Sequence, residues 1–266
     1  MAPLQQLGPL ARLVRGARVH HARPELARHP ETVAEANHDP EVFARKSIKQ
    51  ATDHYAEIIG RWATKPAVIG HSFGGLIAQQ LAGLGIAAVT VAIDPAAFRG
   101  VLPLPLSALK SASPVLGNPA NYHRAIPLTF EQFQFSFANA VSESEARDLY
   151  ETFVVPAPGE PIFQAAAANL NPWTEDSVDT TNPERGPLLI ISGERDHTVP
   201  WAVADAAYKR QQRNAGVTEI VAIPDRGHSL TIDHGWEEVA NTALAFVKRH
   251  ASPLEQRTYE SAREER

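Results

Sequence analysis

The sequence predicts an α/β fold with a mostly parallel sheet, because short apolar runs alternate along the chain with segments of helical periodicity. Apolar runs of this length are typical of strands that are buried on both faces of a parallel sheet. Three such runs occupy residues 87–93, 187–193 and 217–223, and a shorter apolar run at 66–70 predicts a fourth strand. A chain of 266 residues is also long enough to form one such domain around a well-filled core.

Segments with the helical period stand between these runs and predict the helices that cover the sheet. Residues 45–62 place apolar side chains on one helical face just before the first run: Ile48, Tyr55, Ile58, Ile59 and Trp62. A second helix is predicted from Gly74 to Leu84, and two more over 201–213 and 236–250. This order indicates strands joined by helical crossovers.

Between these core segments the composition changes, and this change defines the predicted domain organisation. Residues 98–183 are rich in proline and aromatic residues and lack the strand pattern, so they predict a helical insertion. The insertion is either a small core that holds itself together or a lid over an apolar pocket. We therefore assign residues 1–97 and 184–250 to the α/β core, 98–183 to the lid, and 251–266 to a charged, disordered tail.

Composition excludes several classes of protein. The net charge of −5 argues against a nucleic-acid partner, and no apolar run reaches the length of a membrane span. The absence of cysteine removes thiol catalysis and thiolate metal sites. The first 24 residues carry four arginines and leucines at helical spacing but no signal-peptide core, so we expect a packed helix there and a cytoplasmic protein.

The most informative motif is Gly-His-Ser-Phe-Gly-Gly at residues 70–75, between a predicted strand and a predicted helix. A G-x-S-x-G in this setting forms a sharp turn that exposes the serine hydroxyl as a nucleophile. We expect the glycines flanking Ser72 to be required because side chains there would collide with the strand and helix. The backbone amide of Phe73 is then placed to donate to an oxyanion.

A nucleophilic serine needs a base and a carboxylate that orients the base, and both follow in the order Ser, Asp, His. Asp196 follows the run at 187–193, and His228 follows the run at 217–223. Both therefore fall beyond the carboxyl ends of predicted parallel strands, where open α/β sheets place their sites. The agreement of these placements with Ser72 indicates a catalytic triad more strongly than the pentapeptide alone.

Alternatives remain for individual residues. Asp94 also ends a predicted strand, so it is the alternative triad acid. Taken singly, Ser72, Asp196 and His228 can each be an ordinary turn or loop residue. His71 and His197 adjoin catalytic positions, and we expect them to be supporting residues.

No metal and no cofactor are expected, because the histidines lack His-Glu-x-x-His spacing and the chain has neither of the common nucleotide-binding glycine motifs. Aromatic and neighbouring side chains are the candidates for lining a pocket: His71, Phe98, Phe133, Phe137 and Trp173.

With these motifs in place, the chain resembles the α/β-hydrolase superfamily, in particular its lidded serine esterases, lipases and cofactor-free haloperoxidases. The likeness covers residues from about 18 to 250. It is carried by the motifs at 70–75, 193–200 (Gly-Glu-Arg-Asp-His-Thr-Val-Pro) and 227–230 (Gly-His-Ser-Leu). The resemblance implies a nucleophilic Ser72, a triad acid Asp196, a general base His228 and an oxyanion donor at Phe73. Dehalogenases and epoxide hydrolases of this fold carry aspartate at the elbow, and Ser72 counts against both.

The chain departs from that family near its beginning. Members reach the elbow after several strands, one of which ends in a His-Gly loop that supplies the second oxyanion amide. No His-Gly pair precedes residue 70, and only Val14 to His21 resembles a strand there, after a helix-like stretch at 1–13. We therefore expect a fold truncated at its N-terminus. The elbow strand then gains a new neighbour or becomes an exposed edge that favours homo-oligomers.

The function that this implies is cleavage of small-molecule carboxylic esters with an apolar acyl or alcohol part, through an acyl-enzyme. The same triad also serves perhydrolysis of the haloperoxidase type or acyl transfer, in which a different nucleophile attacks the acyl-enzyme. If the expected truncation removes part of the oxyanion hole, the chain is instead a catalytically impaired ligand-binding protein or a fragment.

Overall fold

A computed structural model describes residues 32–251, which contain a four-stranded parallel sheet and a separate two-stranded antiparallel pair. The parallel sheet has the order β1-β2-β5-β6, and β3 pairs with β4. The strands are β1 (Ala67–His71), β2 (Val89–Ile93), β3 (Ala125–Ile126), β4 (Ala157–Pro158), β5 (Leu188–Gly193) and β6 (Thr218–Ile223). The four strands of the parallel sheet match the four predicted runs to within two residues.

Helices cover both faces of this sheet and form most of the insertion. They are α1 (Val33–His38), α2 (Ile48–Gly60), α3 (Phe73–Gly83), α4 (Leu106–Leu116), α5 (Phe130–Ser136), α6 (Glu143–Phe153), α7 (Gly159–Ala167), α8 (Trp201–Gln211) and α9 (Trp236–His250). Two short 3-10 helices span Pro40–Phe43 and Pro119–Asn121. The predicted helix over 45–62 begins at Ile48, where Ser47 and Gln50 form a capping box that satisfies the first backbone donors.

The sheet separates two apolar cores, as expected when both of its faces are covered. Along β5, Leu188 and Ile190 pack toward α2, α3 and α8, whereas Leu189 and Ile191 pack toward α9. This alternation follows from the two-residue period of a strand. Because the four strands are parallel, their carboxyl ends lie at one edge of the sheet.

The central strands β2 and β5 are buried throughout, as predicted for strands covered on both faces. The same prediction is wrong for most of β6, which is half-buried because it is an outer strand of the sheet formed by residues 32–251. The elbow strand β1, for which we expected either a new neighbour or an exposed edge, is the other outer strand of that sheet and is also half-buried. Among these residues the sheet neighbour of β1 is β2. The helix and strand expected before residue 24, and the tail from residue 252, lie outside the described residues.

Residues 98–183 contain α4 to α7 and the pair β3-β4, and part of them encloses a small aromatic core. Phe133, Ala138, Ala146 and Leu149 are its buried members. Residues that we assigned to the α/β core also pack on this insertion, since Ala36 and Phe43 form a buried cluster with Ala125. None of the helices within residues 32–251 combines the length and the apolar character that crossing a membrane requires.

Candidate active site

Ser72 occupies the sharp turn between β1 and α3, in a backbone conformation that non-glycine residues rarely adopt. Its φ is 56° and its ψ is −120°. The backbone around it is tied to the end of β2: Ser72 N–H donates to Ile93 O at 2.9 Å, and Ala96 N–H donates to Ser72 O at 3.0 Å. These bonds hold the strained serine in place and leave its hydroxyl at the carboxyl edge of the sheet.

Two glycines of the turn leave little or no room for a side chain, Gly70 and Gly75, whereas Gly74 differs from our expectation. A Cβ on Gly70 would lie 2.0 Å from Gly74 O, so the strand and the helix approach too closely for any side chain. A Cβ on Gly75 would lie 3.0 Å from Pro95. At Gly74 no heavy atom lies within 4 Å, and the predicted collision there is wrong. The tight contacts are between β1 and α3 and between α3 and the segment after β2.

The structure brings Ser72, His228 and Asp196 into one hydrogen-bonded chain, although 156 residues separate the serine from the histidine. His228 Nε2 lies 3.0 Å from Ser72 Oγ, and His228 Nδ1 lies 2.6 Å from Asp196 Oδ2. An ionised carboxylate only accepts, so Nδ1 carries the proton and Nε2 is left to accept from the serine hydroxyl. This is the tautomer that a general base requires.

The carboxylate of Asp196 is fixed by its own loop. Its Oδ1 accepts from the backbone N–H groups of Thr198 at 2.6 Å and Val199 at 2.9 Å. Burial by itself raises the pKa of Asp196. The charge of His228 and the hydrogen bonds from His228 and from Val199 N–H outweigh it and lower the pKa below its ordinary value. Asp196 is therefore ionised beside a fully buried His228.

Asp94, the alternative triad acid, lies beside Asp196 and has a different set of partners. Its Oδ1 accepts from Gly193 N–H at 2.7 Å, and its Oδ2 has no hydrogen-bond partner among residues 32–251. Complete burial, followed by the charge of Asp196, raises the pKa of Asp94 well above its ordinary value. The carboxylate that accepts from His228 Nδ1 is that of Asp196.

His71 and His197, which we expected to be supporting residues, each contact the site. The ring of His71 lies against that of His228, with 4.7 Å between the centroids. Burial, and then the neighbouring His228, lower the pKa of His71 to about 3, so its imidazole is neutral. His197 Nδ1 lies 2.9 Å from Phe135 O at the end of α5.

The end of α5 and the residues after it touch both catalytic loops, a feature that the sequence did not reveal. Ser136 O accepts from Thr198 Oγ1 at 2.7 Å, and Phe137 O accepts from Ser229 N–H at 2.9 Å. Asn139 Nδ2 donates to Arg195 O at 2.7 Å. Backbone carbonyls at a helix C-terminus carry no sequence signal for such a role. We call residues 135–139 the brace segment.

The pocket candidates separate into three groups. Phe137 meets the ring of His228 edge-on, with 4.8 Å between centroids, and stacks on Phe133. Phe98 is only 1% exposed and packs in the core beneath α8 with Val199 and Val203. Trp173 is 87% exposed on the surface of the insertion. The structure thus brings Phe137 and His71 against the site and keeps Phe98 in the core.

Phe73 is the first residue of α3, so its N–H belongs to the first-turn donors that have no partner within the helix. This amide follows Ser72 directly, which is the position that supplies an oxyanion donor at a nucleophile elbow. Three groups around the triad also have the character of metal ligands: His71, Asp94 and His228. The spacing of histidines along the sequence gave no sign of them, because they follow three different strands.

Comparison with known proteins agrees with this geometry. The model of the alpha/beta hydrolase family matches residues 8–242. A parallel sheet with a serine at a strand–turn–helix elbow defines an α/β-hydrolase fold, and with this match the chain belongs to the alpha/beta hydrolase family. No curated protein matches the sequence.

Solved structures with low sequence identity share the fold. A pyrethroid hydrolase from Sphingobium faniae JZ-2 aligns with a TM-score of 0.62 and 17% identity, covering 96% of this chain and 95% of its own. A monoacylglycerol lipase from Paleococcus ferrophilus aligns with a TM-score of 0.61 and 19% identity, covering 94% of this chain and 91% of its own. An esterase from Thermogutta terrifontis aligns with a TM-score of 0.54 and 16% identity, covering 78% of this chain and 74% of its own. These similarities show that the chain shares its fold with these proteins.

Proposed function

We propose that this protein is a serine hydrolase that cleaves carboxylic esters of apolar small molecules through an acyl-enzyme. The observation that carries the proposal is the hydrogen-bonded chain from Ser72 through His228 to Asp196. Both of its distances suit proton transfer within the ground state of a triad. The family assignment and the esterase and lipase among the structural neighbours support the same reaction class.

Each residue of the chain has one task in this mechanism. Ser72 Oγ attacks the ester carbonyl while His228 Nε2 takes its proton, and Asp196 stabilises the imidazolium that forms. The alcohol leaves as His228 returns that proton to it, which gives an acyl-Ser72. Water then attacks the acyl group by the same route, the carboxylic acid leaves, and Ser72 regains its proton.

Charge on the tetrahedral oxygen is met by the amide of Phe73, which the elbow leaves without a helical partner. The positive N-terminal end of α3 points at the same place and stabilises negative charge there.

The preference for an apolar substrate rests on the surroundings of His228. Phe137 presents its ring to His228, and Phe133 supports Phe137 from behind. An apolar acyl or alcohol group packed against Phe137 would displace water from the site and strengthen its hydrogen bonds. The neighbours named as a pyrethroid hydrolase and a monoacylglycerol lipase support this class of substrate.

A panel of p-nitrophenyl esters of increasing chain length tests the proposal. We expect turnover that falls by at least about a thousandfold in Ser72→Ala, since the nucleophile is lost. Ser144→Ala, an exposed serine at the start of α6, is the matched control and keeps full activity. Equal activity in Ser72→Ala and the native protein would refute the proposal.

Two further measurements decide between this function and its alternatives. Faster product formation from hydrogen peroxide than from water would assign perhydrolysis to the same triad. Binding of apolar ligands without turnover of any ester would assign a ligand-binding protein. We expect hydrolysis by water to dominate.

A further inference from the structure

Three potential metal ligands meet next to the triad, at the carboxyl edge of the sheet. His71 ends β1, Asp94 follows β2, and His228 lies in the loop after β6. One ligand atom from each lies within 4.8 Å of the other two. These side chains come from three separate strands, so the fold itself brings them together.

Two polar atoms of these residues are buried without any hydrogen-bond partner among residues 32–251. They are His71 Nε2 and Asp94 Oδ2. Burial of a polar atom without a partner costs free energy, and native structures contain few such atoms. Asp94 also holds a strained backbone, with φ at 38°. The arrangement thus keeps two orphaned donor or acceptor atoms beside His228.

The donor set selects a class of cation. Two imidazole nitrogens and one carboxylate oxygen are ligands that Zn²⁺ and neighbouring transition metals prefer, whereas Mg²⁺ and Ca²⁺ prefer oxygen alone. The carboxylate of Asp196 adjoins both Asp94 and His228. The carboxylates of Asp94 and Asp196, once both are ionised, therefore balance the charge of one dication in this buried site.

We propose that His71, Asp94 and His228 form an inhibitory binding site for Zn²⁺ or a similar transition-metal dication. Binding forms bonds from the metal to two ring nitrogens and one carboxylate oxygen, and any proton on these atoms is released to solvent. If the metal binds Nε2 of His228, that nitrogen has no lone pair left to accept the proton of Ser72. If it binds Nδ1, that nitrogen loses the proton that it donates to Asp196. Either change stops ester cleavage.

The geometry requires a small contraction. Three atoms at 4.8 Å spacing lie about 2.8 Å from their common centre, while zinc holds nitrogen and oxygen ligands at roughly 2.0–2.2 Å. Each atom moves inward by less than about 1 Å, which side-chain rotation supplies. A water molecule or Ser72 Oγ completes a tetrahedral site.

Metal binding is measured first on Ser72→Ala, which keeps all three proposed ligands but lacks the nucleophile. Titration calorimetry with ZnCl₂ is expected to show one tight site that His71→Phe removes, with Co²⁺ absorption reporting tetrahedral coordination. His71→Phe keeps an aromatic ring against His228. His123→Asn is the control, because His123 faces Glu160 at the surface at 3.6 Å and offers an alternative His-carboxylate pair. Binding that survives His71→Phe but disappears in His123→Asn would overturn the proposal.

Inhibition is measured second and rests on the proposed function, because it needs His228 to be the general base. We expect ZnCl₂ to inhibit the native protein, EDTA to restore activity, and the inhibition constant to rise at least tenfold in His71→Phe and in Asp94→Asn. Each variant is compared with its own metal-free rate. Zinc binding to Ser72→Ala without inhibition of the native protein would remove the inhibitory role but leave the metal site. No binding at all would refute the site.

Discussion

Asn139 of the insertion donates its side-chain amide to the backbone carbonyl of Arg195, at 2.7 Å. Arg195 directly precedes Asp196, so this bond ties the brace segment to the loop that carries the triad acid. The Oδ1 atom of the same asparagine lies 2.7 Å from the position that a Cβ on Gly227 would take, so it packs against the residue that precedes His228. One side chain of the insertion therefore touches both catalytic loops.

Asn139→Ala is expected to lower kcat about tenfold, because both loops lose a contact that positions the triad, and to cost about 1 kcal/mol of stability. Asn118→Ala is the matched control: it removes one hydrogen bond, in which Asn118 Oδ1 accepts from Ala120 N–H, at a 3-10 helix in the insertion. Steady-state kinetics and urea unfolding of both variants separate the two effects. Equal loss of kcat in both would show that the brace has no positioning role.

Asp196→Asn should reduce kcat/KM by about 10³–10⁴, because the amide does not stabilise the imidazolium of His228. Asp94→Asn should stay within about tenfold of the native rate, since His228 Nδ1 donates to Asp196 and not to Asp94. The comparison uses ester hydrolysis in metal-free buffer. A larger loss in Asp94→Asn than in Asp196→Asn would make Asp94 the triad acid.

The glycines of the elbow make a third prediction. Gly70→Ala should destabilise the protein by more than about 2 kcal/mol, because its Cβ would overlap the backbone of Gly74. Gly74→Ala should be tolerated within about 1 kcal/mol, since nothing lies within 4 Å and alanine favours the helix. Thermal unfolding measures both. A collapse of stability in Gly74→Ala would contradict the contacts described above.

Asp176 predicts a pH dependence of stability. Burial, and then Glu175, raise its pKa to about 7 from 3.8, and neither carboxyl oxygen has a hydrogen-bond partner among residues 32–251. The folded state holds the proton longer than the unfolded state, so this contribution is complete below about pH 4 and is lost as the pH rises to about 7.

Asp176→Asn removes the decrease in stability that ionisation of Asp176 causes as the pH rises. Between pH 5 and pH 8 the native protein should lose on the order of 2 kcal/mol more unfolding free energy than the variant. Urea unfolding at both pH values measures the difference. Asp148→Asn, which replaces an exposed carboxyl of α6, serves as control. Parallel losses in the native protein and Asp176→Asn would show that Asp176 is ionised in the folded state.

Much of the fold was predictable because its signals are local. The runs that became β2 and β5 are apolar on both faces, and the segment of α2 carries a clear helical stripe. The predicted burial of β6 on both faces was wrong, because a position at the edge of a sheet depends on which strands pair. That pairing is a long-range property that a single apolar run does not encode.

The site was predictable to a different extent. Ser72, Asp196 and His228 follow three strands whose ends meet at one edge, and the structure brings them together. Asn139 and the carbonyls of the brace segment gave no sequence signal, since backbone acceptors exist at every residue. Phe98 looked like a pocket residue because of its position after β2, but the chain turns there into the core.

Labelling by a fluorophosphonate probe tests the central claim, that Ser72 is an activated nucleophile, most directly. Intact-protein mass spectrometry should show one adduct, and peptide mapping should place it on Ser72. Ser72→Ala should show none, and His228→Ala should be labelled far more slowly, because the base is absent. An adduct on another residue, or labelling that persists in Ser72→Ala, would contradict the account.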